Sequence, residues 1–168
     1  MKIAIVVDSK TGNTRMVAKA LASALDAAVT PLAEGASEAV ASADTVLAGF
    51  WCDKGDCSPE MAEFLDTLSG KRVFLFGTAG FGGSQPYFER VLANVAKHLP
   101  AAAELIGQAM CQGRIAAGFR ARYEAALQSD PTDERAKVMI HTFDVALNHP
   151  SQQDFGRITT AAKKALGL

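Results

Sequence analysis

Ile3 to Val7 is an unbroken apolar run with no polar alternation. A strand facing water on one side would alternate apolar and polar residues, so this run reads as a central strand buried on both faces. Thr45 to Phe50, Arg72 to Phe76 and Glu104 to Met110 read as further strands, and Ala28 to Leu32 as a shorter one near the start. The stretches between them have helical period. Val17, Ala20, Leu21, Ala24 and Leu25 define a helix from about Thr14 to Asp26. A short helix fits Ser37 to Ser42. Ser58-Pro59-Glu60 is a helix start, with Met61, Phe64, Leu65 and Leu68 on one face and Gly70 as the stop. Pro86 opens another helix, carrying Phe88, Val91, Leu92, Val95 and Leu99. Strands alternating with helices predict an α/β domain, a doubly wound five-stranded parallel sheet with helices on both faces. Ligands of such sheets bind beyond the carboxyl ends of the strands, where the strand order reverses.

Three loops leave strands at that end. Ser9-Lys10-Thr11-Gly12-Asn13-Thr14 joins the first strand to the first helix. Its hydroxyls, its backbone N–H groups and the positive end of the helix dipole converge on one point, which suits a phosphate monoester without a lysine at the phosphate. The GxxxxGK[ST] and GxGxxG spacings are both absent here, so neither a Walker loop nor a dinucleotide fingerprint is present. The rival reading is an ordinary turn with Asn13 or Thr14 as the helix N-cap. The second loop, Trp51 to Cys57, begins with the only tryptophan. The third, Gly77-Thr78-Ala79-Gly80-Phe81-Gly82-Gly83-Ser84, is glycine-rich.

Together these segments resemble the flavodoxin family. Ser9 to Thr14 is similar to that family's phosphate loop for flavin mononucleotide (FMN), and the two later loops are similar to its isoalloxazine-flanking loops. The resemblance covers about residues 1–115 and the closing helix. It implies the strand order 2-1-3-4-5, noncovalent FMN and one- or two-electron transfer. Phe50 to Cys57 and Gly77 to Ser84 are more narrowly similar to flavodoxin-like proteins that accompany bilirubin reductase in gut bacteria. The cofactor-binding residues implied are Ser9, Lys10, Thr11, Gly12, Asn13, Thr14, Trp51, Cys52, Thr78, Ala79, Gly80, Phe81, Gly82 and Gly83. An isoalloxazine is flat and polarizable, so Trp51, and Phe81 or Tyr87, suit it as stacking faces. The glycines let backbone approach the ring, and Thr78 suits a hydrogen bond to the pyrimidine edge or the ribityl chain. The partners implied are an NAD(P)H-linked reductase as donor and a redox enzyme as acceptor.

Other features weigh on this expectation. The length of 168 residues fits one domain, with an extra helical segment at about 114–149 beyond what a short flavodoxin needs. Met139, Phe143 and Leu147 give that segment an apolar stripe, and sheet cover is its expected role ahead of a dimer contact or a docking surface. Asp130-Pro131 and Ser151 mark helix starts. The net charge of −1 provides no whole-molecule field, so nucleic acid is not an expected partner. It also departs from the strongly acidic flavodoxin carriers. That leaves an NAD(P)H-dependent flavin or quinone reductase, or a non-redox accessory subunit, as alternatives to an electron carrier. No apolar run approaches the ~20 residues of a membrane span, and Met1 leads straight into a strand with no secretory pattern. With Cys52, Cys57 and Cys111 unpaired by any disulfide framework, a cytoplasmic setting is expected. Cys52 and Cys57 read as ordinary loop residues ahead of a redox pair. His98, His141 and His149 sit apart from any Ser or Cys motif, and Ser9 lacks a nucleophile elbow, so no catalytic residue is assigned. Arg114, Arg120 and Arg122 form a small basic cluster, read as a solvated face ahead of an acidic partner's dock.

Overall fold

A computed structural model describes residues 1–168. Five strands, β1 (Ile3–Val7), β2 (Val29–Pro31), β3 (Thr45–Trp51), β4 (Arg72–Ala79) and β5 (Glu104–Gln112), form one parallel sheet in the order β2-β1-β3-β4-β5. The helices are α1 (Asn13–Leu25), α2 (Ala36–Ala41), α3 (Pro59–Asp66), α4 (Gln85–Ala96), α5 (Ala117–Ser129), α6 (Glu134–Ala146) and α7 (Gln152–Leu166). The doubly wound sheet is the one expected from the sequence, and its order is the one the flavodoxin resemblance implies.

Both faces of the sheet are covered, which is why its central strands carry unbroken apolar runs. On one face Val6, Val46, Ala48, Phe50 and Leu75 pack beneath α2, α3 and α4. On the other, Ile5, Val7, Leu47, Phe74 and Phe76 pack beneath α1 and α7. The α5–α6 hairpin stands outside both cores. It is joined to the body through a small cluster of Ile115, Phe143 and Ala146, and α5 buries none of its residues. The expectation that this segment covers the sheet is therefore corrected, because α1 and α7 already fill that face. α6 begins at Glu134 behind an Asp133 cap, a little later than Asp130-Pro131 suggests.

The strands also run further than their apolar runs imply. β3 and β4 stay paired through Trp51 and Thr78, and β4 and β5 through Ala79 and Gln112. Gly77, Thr78 and Ala79 are thus the buried end of a strand rather than loop, and the glycine-rich turn proper is Gly80 to Ser84. A reciprocal contact spaces β3 and β4. In register, Gly49 faces Phe76 and Phe50 faces Gly77, so each phenylalanine ring lies over the opposite glycine. A Cβ at Gly77 would stand 2.5 Å from the Phe50 ring tip. Phe50 and Phe76 are fully buried, so neither ring has room to yield. Gly77→Ala should therefore destabilise the fold by about 1–3 kcal/mol through overpacking. Urea unfolding followed by circular dichroism would read this as a lower midpoint with an unchanged slope.

Candidate functional site

The loop between β1 and α1 is a row of unspent donors. None of the backbone N–H groups from Ser9 to Thr14 donates to a protein acceptor, whereas Asp8 before it bonds Gly49 and Met16 after it bonds Gly12. The Arg15 N–H reaches the Ser9 hydroxyl at 3.2 Å. Gly12 takes the N-cap position at φ 93°, a left-handed conformation that glycine adopts without strain, and so offers no capping side chain of its own. Neither Asn13 nor Thr14 is the N-cap. Amides without a protein acceptor thus gather at the positive end of the helix dipole, an arrangement suited to an anion.

Two side chains of the loop look inward and fix it. Thr14, fully buried, shares a 2.9 Å hydroxyl–hydroxyl bond with Thr78 at the end of β4 and lies 3.4 Å from the Phe50 carbonyl. Asn13 donates to the Arg114 carbonyl at 2.8 Å and to the Thr11 hydroxyl at 3.1 Å. These bonds lock the first loop to β4 and to the segment after β5. Thr11 and Lys10 remain at the surface.

Beside this loop lies a cleft of about 620 Å³, within the range of small-molecule and cofactor pockets. It is lined by Lys10, Thr11 and Asn13 of the first loop, by Trp51 and Cys52 at the end of β3, by Thr78 and Ala79 at the end of β4, and by Gly80, Phe81 and Tyr87 beyond it. The cleft thus gathers most of the residues expected to hold a cofactor. Ser9, Gly12 and Thr14 belong to the loop but do not line the cleft, and Gly82 and Gly83 lie beyond it. A Cβ at Gly82 would run into the Tyr87 ring, so this glycine seats the tyrosine beside the cleft. The Lys10 ammonium stands 4.7 Å from the centre of the Trp51 ring, a cation–π contact at the cleft wall.

Sequence reasoning passed over the wall made after β5. Arg114, Ile115, Ala116 and Phe119 line the cleft, and Phe119 meets Phe81 edge to face at 5.1 Å. The available signal was chain order alone: these residues follow the last strand, at the same sheet edge as the other loops. Asp53 and Lys54 also reach the cleft, from a tight turn closed by the Asp53–Asp56 bridge. Asn94 holds that turn through the Gly55 carbonyl at 3.1 Å, and His98 through the Asp56 carboxylate at the same distance. The histidines are structural here: His98 pairs with Asp56, His149 with Asp154, and His141 is exposed.

The three cysteines occupy different surroundings. Burial, with the Asp56 carboxylate beside it, pushes the Cys57 thiol up to about 12. Burial, with Asp154 nearby, does the same to Cys111. Cys52 is partly exposed in the cleft, 3.4 Å from the Tyr87 hydroxyl. Tyr87 is in turn pushed up to about 12, first by burial and then by that contact.

Comparison with known proteins places this geometry. A family model described as a flavodoxin domain matches residues 4–163. The chain is 35% identical to the flavodoxin-like domain-containing protein BilS of Clostridium symbiosum, over 92% of this chain and 90% of that one. It is 28% identical to the protein of that name in Clostridioides difficile, over 73% and 70%. Among solved structures, a short-chain flavodoxin associated with a non-canonical PDU bacterial microcompartment superposes with a TM-score of 0.55 at 16% identity, covering 99% and 98%. A flavoprotein from Lactobacillus acidophilus, in complex with FMN, superposes with a TM-score of 0.52 at 14% identity, covering 66% and 93%.

A thiolate is the reactive form of cysteine, and Cys57 and Cys111 are both buried and held protonated. Iodoacetamide at mildly alkaline pH should therefore alkylate Cys52 first and leave the other two intact until the chain unfolds. Peptide mass mapping over time reads the order; early labelling of Cys57 would contradict this placement.

Proposed function

The chain belongs to the flavodoxin domain family, and on that premise we propose that it binds FMN and passes electrons to a redox partner enzyme. One observation carries the reading: the donor row from Ser9 to Thr14 adjoins a cleft of about 620 Å³ whose walls are Trp51, Tyr87 and Phe81. Unspent backbone amides beside a cleft walled by aromatic rings suit a ligand that carries both a phosphate and an isoalloxazine. The Lactobacillus flavoprotein of this fold, solved in complex with FMN, supports the choice of flavin.

In this reading the amides from Ser9 to Thr14 hold the phosphate, with the Thr11 hydroxyl beside them. Thr14 and Asn13 keep the cradle rigid through Thr78 and Arg114. Trp51 stacks on the ring, and the backbone of Gly80 to Gly83 approaches its edge. The FMN would supply one- or two-electron chemistry when bound, while the protein sets its orientation and access. No side chain in the cleft is needed as a nucleophile or a proton donor. An NAD(P)H-linked reductase would charge the carrier, and a redox enzyme would discharge it.

The purified protein should be yellow, with FMN released on denaturation. NADPH alone, without a reductase, should leave it oxidised, because no nicotinamide-binding group is assigned in the cleft; rapid bleaching would instead mark a reductase. Thr11→Ala should weaken FMN roughly tenfold or more, by loss of a hydrogen bond to a charged group, and should leave riboflavin nearly unaffected. Flavin-fluorescence titration measures both ligands, and equal loss of the two would overturn the phosphate assignment. Thr14→Ala should act differently, lowering the unfolding midpoint, since its hydroxyl is spent on Thr78 and Phe50.

A further inference from the structure

Cations gather around one side of the cleft. Lys10, Lys54 and Arg114 line the cleft itself, and Asp53 is its sole carboxylate. A second cavity of about 510 Å³ adjoins it across Thr11 and Asn13, and adds Arg15 and Lys19 with no acid at all. None of these five cations takes part in an ion pair. Arg72 is matched by Glu104, Arg120 by Glu124 and Asp144, Lys137 by Glu134 and Arg157 by Asp154. Of the basic cluster expected in the sequence, Arg120 is thus neutralised, while Arg114 joins the cleft group.

The positive charge gathered at this mouth is not a property of the whole molecule. The whole chain carries a net charge of −1. On the opposite flank, past Trp51, a cavity of about 600 Å³ is lined by Asp8, Glu60 and Glu63, with Lys10 on the boundary. Amid the cations, apolar surface is left bare. Phe81 and Phe119 meet edge to face with 47% and 43% of their surface exposed, and Met16 is 38% exposed on α1. Bare aromatic rings inside a rim of one charge are the anatomy of a protein–protein contact: the apolar centre gives affinity, and the charged rim gives orientation and rate.

We propose that this cleft mouth, from Arg15 and Lys19 on α1 across Phe81 and Phe119 to Arg114 and Lys54, is the docking surface for a redox protein whose own electron-transfer face is acidic. Charge complementarity selects that occupant. A basic partner would meet five unpaired cations, whereas an acidic one gains at each. The acidic flank at Glu60 and Glu63 repels the same partner and so fixes which way it sits over the cleft. The redox character of the partner rests on the carrier reading above; its charge rests on this surface alone.

The test is a nuclear magnetic resonance titration of the 15N-labelled chain, with and without FMN, against cytochrome b5, whose haem edge is acidic, and cytochrome c, whose haem edge is basic. Cytochrome b5 at low salt should perturb the amides of α1 and of residues 80–84 and 113–119. The binding should weaken at least about tenfold when the salt is raised to physiological strength. The double variant Arg15→Glu/Lys19→Glu should weaken it to a similar extent with an otherwise unchanged spectrum, and Arg15→Gln/Lys19→Gln should fall between. Equal or tighter binding of cytochrome c, perturbations on another face, or no saturable shift with cytochrome b5 at low salt would each overturn the proposal. A chain that takes up no FMN would fail as a carrier, yet its flavin-free titration would still decide the surface.

Discussion

The packing of β3 against β4 governs the rest of the structure. These two strands are buried on both faces, and at their carboxyl ends the Phe50 and Phe76 rings each lie over a glycine of the other strand. That close fit keeps the strands paired as far as Trp51 and Thr78. Trp51 is thereby presented from a strand end rather than from a loose loop. Thr78 is placed where its hydroxyl meets Thr14, which ties α1 to the same strand end. A cleft wall and the base of the anion cradle are thus both set by one sheet interface, so rigidity in the core becomes rigidity in the site.

In the proposed reading the cradle would hold its anion by dipoles rather than by charge. Backbone amides and a helix terminus supply the attraction for an anion, and no lysine or arginine is needed there. Lys10 leans on the Trp51 ring, and Arg15, Lys19, Lys54 and Arg114 have no carboxylate partner. Their charge is available to the surroundings of the cleft. A chain of net charge −1 therefore carries a sharply uneven surface beside its site, a distribution that total charge conceals. The thiols are also set apart: Cys57 is buried in the core beneath α2, α3 and α4, while Cys52 alone reaches the cleft.

The α5–α6 hairpin shows how extra chain acquires a role. The apolar stripe of α6 invites a reading as sheet cover, but α1 and α7 leave no room on that face. Phe143 and Ala146 are drawn in against Ile115, and Ala136 is the one other buried residue of α6. The hairpin's first turn brings Phe119 to Phe81 and closes one side of the cleft. An insertion beyond the last strand thus becomes cleft wall and outer surface instead of core.

Residues adjacent in the chain were enough to declare the sheet, its parallel sense and the loop from Ser9 to Thr14, because an unbroken apolar run or a glycine at a strand–helix junction reports a local requirement of the backbone. The strand order entered with the family resemblance. Folding alone decided what each side chain faces. Thr14 reads as one more hydroxyl for an anion, yet it turns inward because Thr78, far away in sequence, ends at the same height in the sheet. Gly77 reads as loop, yet it is strand because Phe50 occupies the space a side chain would need. Arg114 reads as a solvated surface charge until Asn13 draws its backbone against the first loop. Each of these outcomes depends on contacts between distant parts of the chain, which periodicity and spacing do not encode.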